Sequence, residues 1–327
     1  MAKIGIMSFA HMHAYGYASS VNRIPNATLS AIWDDDASRG RAAAKQFGTR
    51  FVPKLENLLD SDIDAVIITS ENKRHREMVE AAAGAGKWIL CEKPIATTIA
   101  DAKAMIAACK KAKVGLGTAF PCRYVPALMA ARAQIQAGQY GEIYAACCTN
   151  HGQNPGGWFA DPKQSGGGAT MDHTVHVADL LRWILGKEFV KVYCEYDRVL
   201  HGKSLKTDDL GCVHLEMEGG VQVSHIASWS RAKSFPIWGD VTIEFVGEKG
   251  VLNVDAFNQK LDIYSDATMR HTYAPWGDDS DLGLVADFAA AVDEGREPSV
   301  TGVDGLRATE VTVAAYKAMK AGRMIKV

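Results

Sequence analysis

Asp172, His176 and Asp179 recur at i, i+4 and i+7, the spacing that places three side chains on one stripe of a helix. Around them Met171, Val175, Ala178, Leu181 and Leu185 repeat at the same period, and Val177, Leu180 and Ile184 fill the neighbouring face. A helix apolar over most of its circumference is buried. A buried carboxylate and imidazole must then pair with each other or face a wet cleft. An aspartate one turn ahead of a histidine can fix the imidazole tautomer and make the ring a general base, or it can simply satisfy the ring in a core. Gly166, Gly167 and Gly168 favour the first reading, because they let another backbone or a ligand approach the helix start. Gly186 ends the helix.

A second group of candidates sits at the ends of apolar runs in the first third of the chain. Strands are expected at 3–7, 27–33, 65–69, 88–91 and 114–119, alternating with helices at 11–24, 37–47, 74–85 and 99–112. That alternation means right-handed crossovers and a parallel sheet covered on both faces, with ligands at the carboxyl ends of its strands. The first turn reads Ser8-Phe9-Ala10-His11-Met12-His13 where a dinucleotide site carries Gly-x-Gly-x-x-Gly. Serine and alanine are small enough for a diphosphate to approach the helix start. Histidine in the third place departs further, since that glycine normally permits tight helix–strand packing. Asp34 ends the second strand, where an acid holds the adenosine ribose; Asp35 and Asp36 beside it repel a 2′-phosphate, which favours NAD over NADP. The same acids suit the cap of the following helix. His11 and His13, with His151, His173, Asp161 and the Asp172/His176 pair, offer metal-type ligands, but no spacing forces them together and no metal is expected.

The elements that must position these residues need two domains, because 327 residues exceed one ordinary core; the break is placed at 1–120 and 121–327. A net charge of -2 excludes the electrostatics of a nucleic-acid binder. No apolar stretch is long enough to span a bilayer, and no secretory signal opens the chain. Seven cysteines without Cys-x-x-Cys spacing read as reduced thiols of a cytoplasmic protein. Beyond Pro121 the pattern changes. A helix at 126–136 and a strand at 143–149 lead into a Gly- and Asn-rich loop at 151–158. After the striped helix come strands near 189–199, 210–217, 221–230, 240–247, 251–254 and 260–264, joined by short turns as in an antiparallel or mixed sheet. Val213, Leu215 and Met217 face one side of it, His214 and Glu216 the other. Helices at 285–292 and 306–321 close the chain, the latter packing back toward the first domain. Arg123, Tyr124, His151, Trp158, Trp229 and Tyr273 are the aromatic and polar candidates for a substrate pocket.

Five short motifs in order carry a resemblance: Asn72-x-x-His75; Glu92-Lys93-Pro94; Arg123-Tyr124-x-Pro126; the run Gly166 to Asp179; and Arg296-Glu297-Pro298 through Gly305-Leu306-Arg307-Ala308. Together they resemble the glucose-fructose oxidoreductase/inositol dehydrogenase/MocA family over nearly the whole chain, with Ser70 where the family usually has proline and with the altered glycine loop as departures. The resemblance implies an α/β fold: an N-terminal Rossmann doubly wound parallel sheet, then an α+β domain with a large, mostly antiparallel sheet, the active site lying between them. It implies NAD held by Ser8, Phe9, Ala10, His11, Met12, Asp34, Thr69, Ser70, Asn72, His75, Glu92 and Lys93. Substrate contacts are implied for Lys93 and His176, with Asp172 in support, and the Lys93–Pro94 bond is implied to be cis; Arg123, Tyr124, His151, Trp158 and His173 are the further residues expected against the substrate. The expected reaction is hydride transfer from a secondary hydroxyl of a sugar, cyclitol or related polyol, with His176 as base, Asp172 holding its ring and Lys93 donating to the oxygen. A homodimer or homotetramer through the second-domain sheet is expected. The alternatives are a redox-cycling lyase, epimerase or glycosidase with tightly held NAD, and a non-catalytic dinucleotide- or sugar-binding protein.

Overall fold

The computed structural model describes residues 1–202, 205–275 and 279–327. Two compact units emerge: residues 1–121 with 164–166 and 279–309, and residues 122–163 with 167–278 and 310–327. The first alternates β1 (Ala2–Met7), α1 (His13–Arg23), β2 (Ala27–Trp33), α2 (Ala37–Phe47), β3 (Arg50–Val52), α3 (Leu55–Leu59), β4 (Ala65–Ile68), α4 (His75–Gly84), β5 (Trp88–Cys91), α5 (Ile99–Ala112) and β6 (Leu116–Thr118). All six strands are parallel, in the order β3-β2-β1-β4-β5-β6, so the direction of winding reverses between β1 and β4. Every residue of β4 is buried, as a strand covered on both faces requires. Five strands were expected here, and β3 is the addition. It has three residues with Arg50 exposed, too short and too polar to register as an apolar run. Asp36 caps α2, accepting from the Ser38 and Arg39 amides at 2.9 and 3.1 Å, so this acid does serve the helix after it.

The second unit is built from α6 (Pro126–Gln136), β7 (Ile143–Gly152), the first half of α7 (Pro162–Ser165), α8 (Ala169–Leu185), β8 (Phe189–Asp197), β9 (Leu210–Met217), β10 (Gln222–Ser228), β11 (Gly239–Gly247) and β12 (Gly250–Asp255). The chain then adds β13 (Lys260–Ser265), β14 (Arg270–Pro275), α9 (Ser280–Glu294), α10 (Gly302–Ala321) and β15 (Ile325–Lys326). Seven strands form one sheet, ordered β12-β11-β7-β10-β9-β8-β15, in which only β7 and β10 run parallel. Val213, Leu215, Met217, Val223, Ile243 and Phe245 are buried, while Tyr144, Cys147, Cys212, His214 and Ile226 on the opposite side are exposed. The strand expected near 260 is present, but it belongs to a separate hairpin with β14 rather than to the large sheet. Neither β14 nor β15 was foreseen: β14 begins Arg-His-Thr, and β15 has two residues. Residues 279–309 return to the first unit, where α9 packs on α1 and Gly16 admits Asp281, whose Oδ2 lies 2.5 Å from the place a Cβ would take. Among the described residues no helix is long and apolar enough to cross a membrane.

Candidate active-site elements

In the first unit, the carboxyl ends of β1, β2, β4 and β5 bring together most of the residues expected to hold a dinucleotide. Ser8 stands in the place of the first glycine and adopts the left-handed conformation that glycine normally supplies, with φ 76°. It is wholly buried, and its Oγ accepts from the Ala10 amide at 3.1 Å. Thr69 ties β4 to the same loop: its Oγ1 donates to the Ser8 carbonyl at 2.6 Å, and its own carbonyl accepts from the His11 amide at 3.0 Å. Met12 stands at the N-cap of α1 and offers no capping side chain, and the first turn carries no acid; the His13, Ala14 and Tyr15 amides turn back to His11 Nδ1 and the His11 and Met12 carbonyls. A helix end of this kind keeps its partial positive charge for an anion. The Ser8 turn thus keeps the backbone path of a glycine loop, although the amides of Ser8, Phe9, Ala10, His11 and His13 all have acceptors within the protein.

Asp34 is more heavily engaged than a ribose acceptor alone. It takes the Phe9 amide at 2.7 Å, the Asp36 amide at 2.8 Å, and the Arg39 Nε and Nη2 at 2.8 and 2.7 Å. Those donors fill about four lone-pair sites, all that a carboxylate has. A ribose hydroxyl thus gains Asp34 only by displacing Arg39. Arg39 also pairs with Asp35 at 2.9 Å, and Arg74 reaches the other oxygen of Asp35 at 2.5 Å. Neither arginine was singled out from the sequence, although Arg39 lies five residues beyond Asp34 on the helix that Asp36 caps.

Glu92, at the end of β5, is fully buried. Tyr17 Oη donates to its Oε1 at 2.5 Å, His13 Nδ1 lies 2.8 Å from the same oxygen, and the Lys93 amide donates to Oε2 at 2.8 Å. Burial alone pushes this carboxyl up, but the charges of His11, His13 and Lys93 outweigh it and hold the group well below the usual carboxylate range. Tyr17 was missed, although it lies one helical turn beyond His13. Among the described residues, His11, His13 and Glu92 are the only group of metal-type side chains with ligand atoms all within 4.8 Å. His151, His173, Asp161, Asp172 and His176 do not join it. His11 Nδ1 accepts the His13 amide at 3.1 Å, which leaves the proton of a neutral ring on Nε2 toward Glu92.

The Lys93–Pro94 bond is cis. His75, expected against the coenzyme, is buried beneath this turn, with Nδ1 at 3.1 and 3.2 Å from the carbonyls of Pro94 and Ile95 and Nε2 at 3.3 Å from that of Ser70. Burial pushes its pKa down against the pull of Glu92 and of these carbonyls. Asn72 Nδ2 donates to the Ser165 carbonyl at 2.8 Å. Ser70, Asn72 and His75 are all buried, and the first and last are joined through the Ser70 carbonyl.

In the second unit the glycine run before α8 has a plain steric origin. A Cβ on Gly168 would lie 1.9 Å from the Asp208 carbonyl oxygen, and one on Gly167 would lie 2.4 Å from Tyr316 Oη. What comes close is another backbone. Asp208 then closes the helix start: its carboxylate takes the Gly168 and Thr170 amides at 3.1 and 2.8 Å and the Tyr316 hydroxyl at 2.7 Å. One turn on, Asp172, His176 and Asp179 are all buried, at 8%, 9% and 1% exposure. Asp172 Oδ2 accepts from Trp229 Nε1 at 3.1 Å and lies 3.3 Å from His173 Nε2, while His173 Nδ1 lies 2.8 Å from the Asn150 carbonyl. Trp229 is thus a buried brace of Asp172 rather than an open pocket wall. Asp179 holds Arg123, whose Nε and Nη2 donate to it at 2.8 and 2.5 Å. Removing either partner of such a buried pair costs on the order of 3–5 kcal/mol. Tyr124 follows it, half-buried. His151 Nδ1 lies 3.1 Å from Asp240 Oδ2, and Arg231 also pairs with Asp240. Trp158 stacks on Phe159 at 3.8 Å and packs beside Trp229.

Residues 2–120 match the family model described as an oxidoreductase family with an NAD-binding Rossmann fold, and residues 128–253 match the GFO/IDH/MocA C-terminal domain. A 1,5-anhydro-D-fructose reductase of Ensifer adhaerens is 30% identical over 93% of this chain and 92% of its own length. The myo-inositol 2-dehydrogenase of Thermotoga maritima is 28% identical over 99% of this chain and 98% of its own. The fold is also that of a levoglucosan dehydrogenase solved with NADH and L-sorbose, at TM-score 0.87 and 23% identity over 100% of this chain and 98% of that one. With an uncapped α1 at the reversal of a six-stranded parallel sheet and the Glu92-Lys93-Pro94 turn beside it, the chain belongs to the glucose-fructose oxidoreductase/inositol dehydrogenase/MocA family of oxidoreductases.

Proposed function

We propose that this chain oxidises a secondary hydroxyl of a sugar, cyclitol or related polyol, with NAD as the hydride acceptor. The observation that carries the reading is the start of α1 at the reversal of the parallel sheet, with no carboxylate in its first turn, beside Asp34 at the end of the next strand. The positive end of α1 suits a diphosphate, and the Asp34 carboxylate, once Arg39 swings aside, accepts from an adenosine ribose. The carbohydrate and cyclitol names of the curated relatives supply the substrate class. NAD is preferred to NADP because Asp34, Asp35 and Asp36 outnumber the Arg39 and Arg74 guanidiniums that pair with the first two.

The chain's own residues handle the proton. In this reading His176 takes it from the hydroxyl, and Lys93 donates to the same oxygen as negative charge develops there, an effect of about 3 kcal/mol for one preorganised donor. Asp172, fixed by Trp229, supplies the counter-charge at this end of α8. NAD, when bound, supplies the hydride acceptor. Self-association through the exposed face of the seven-stranded sheet belongs to the same reading, supported by exposed Tyr144, Ile226 and Val251 and a shallow concavity of about 580 Å³ that includes Ile226. Seven free thiols suit a cytoplasmic home.

The test is a panel of cyclitols, aldoses and glycosides followed by NADH absorbance. One class should give net NADH, and Lys93→Met should lower turnover on it by about a hundredfold or more with NAD affinity retained. Product formation without net NADH would replace this reading with an internal redox cycle. Near-normal turnover in Lys93→Met would remove the role of the lysine.

A further inference from the structure

We propose that Arg39 is a built-in competitor for the coenzyme: in the free protein its guanidinium occupies the Asp34 carboxylate, it must leave before an adenosine ribose can bind there, and coenzyme affinity is lower for its presence. The inference rests on the NAD-linked reading above and deepens it at the adenosine end.

The Asp34 side chain, just past β2, is wholly buried. Two of its acceptor positions go to the Phe9 and Asp36 amides, which are backbone and stay in place. The other two take Arg39 Nε and Nη2 at 2.8 and 2.7 Å, the side-by-side fork that makes a guanidinium–carboxylate pair strong. A carboxylate has about four lone-pair sites in all, so Arg39 and a ribose hydroxyl cannot both be served. Among the four donors the mobile one is Arg39, a long side chain that is 29% exposed.

The place of Arg39 on α2 explains its reach. Asp36 caps that helix and accepts the Arg39 amide at 3.1 Å, so residue 39 stands in the first turn. Gly40 lets the helix sit close: a Cβ there would lie 2.5 Å from Phe51 Cε2 and 2.8 Å from the Asp34 Cβ. A second acceptor waits beside the first. The same Nη2 lies 2.9 Å from Asp35 Oδ1 and 3.4 Å from Ser8 Oγ. Asp35 is exposed, and its other oxygen already takes Arg74 at 2.5 Å. A short swing onto Asp35 therefore opens Asp34 without stranding the guanidinium.

Charge alone gives the opposite expectation. The coenzyme diphosphate is anionic, and a cation near its site attracts it, so removing Arg39 would weaken binding. Competition predicts tighter binding. Without the guanidinium, Asp34 keeps its two amides and offers its remaining positions to the ribose with nothing to displace. The two accounts differ in sign. Because Arg39 is partly wet, the expected gain is modest, about tenfold.

NADH and ADP-ribose are to be titrated calorimetrically into the full chain, as wild type, Arg39→Met and Arg39→Lys, with melting temperatures of the free and NADH-saturated proteins. Arg39→Met keeps the aliphatic stem and should bind both ligands about tenfold more tightly, since both carry the adenosine ribose. Arg39→Lys keeps the charge without the fork and should fall between. Free Arg39→Met should melt below free wild type, and the saturated proteins should melt closer together, because the complex has already given up the pair. Unchanged or weaker NADH binding in either folded variant overturns the inference alone; if Arg39→Met does not fold, Arg39→Lys decides by the same criterion. A gain for NADH without one for ADP-ribose also overturns it, since the effect then lies away from the adenosine ribose. Failure of the wild type to bind either ligand overturns it together with the NAD-linked reading.

Discussion

Two helix starts in this molecule solve opposite problems with glycine. Before α8, Gly167 and Gly168 are kept because residues outside the helix press against them: the Asp208 carbonyl leaves no room for a Cβ at Gly168, and Tyr316 Oη leaves none at Gly167. The Asp208 carboxylate then fills the helix end with its own negative charge. Before α1 the glycines are gone, and side chains have taken over their tasks. Ser8 supplies the left-handed turn, Asp34 fixes the loop through the Phe9 amide, and His13 turns toward Glu92. No carboxylate closes that end. A filled helix start anchors structure, and an open one receives a ligand.

The contrast predicts a graded series of losses. Gly168→Ala carries the largest, because the neighbour is backbone and cannot swing aside; about 3 kcal/mol of stability should disappear in thermal or urea denaturation. An alanine tolerated there with unchanged stability would show that the glycine run serves something other than packing. Asp208→Ala should cost about 2 kcal/mol, because the Gly168 and Thr170 amides and the buried Tyr316 hydroxyl lose their acceptor together. Ser8→Gly should be the mildest. Relief of a left-handed serine is worth about 1 kcal/mol and is partly offset by loss of the Oγ bond to Ala10, so stability and NADH affinity should stay close to wild type.

What the sequence made legible follows the same physics. Fully buried parallel strands such as β4 announce themselves as short apolar runs, and Asp36 could be read as a cap from its place before Ala37. The stripe on α8 was visible from its period, since a helix repeats whether or not its partners are known. Its pairings were not visible. Asp172 meets Trp229 from 57 residues away, and Asp179 meets Arg123 from 56, because sequence spacing carries no record of side chains that the fold brings together. Likewise the glycine run showed that something approaches α8, but not that the visitor is residue 208. β3 and β14, the partner of the expected strand at 260–264, escaped for the opposite reason: one is short and the other begins with polar residues, which leaves little apolar alternation to read.

The open start of α1 as the coenzyme site is tested most directly by closing it. Met12→Asp gives α1 the N-cap carboxylate that α8 receives from Asp208, at an exposed position where such a cap stabilises a helix by about 1 kcal/mol. Titration with NADH, followed by nicotinamide fluorescence, should show saturable binding to the wild type and at least about a hundredfold weaker binding to Met12→Asp, with the melting temperature held or raised. Equal affinity in the two proteins, or no NADH binding to the wild type, would contradict the account.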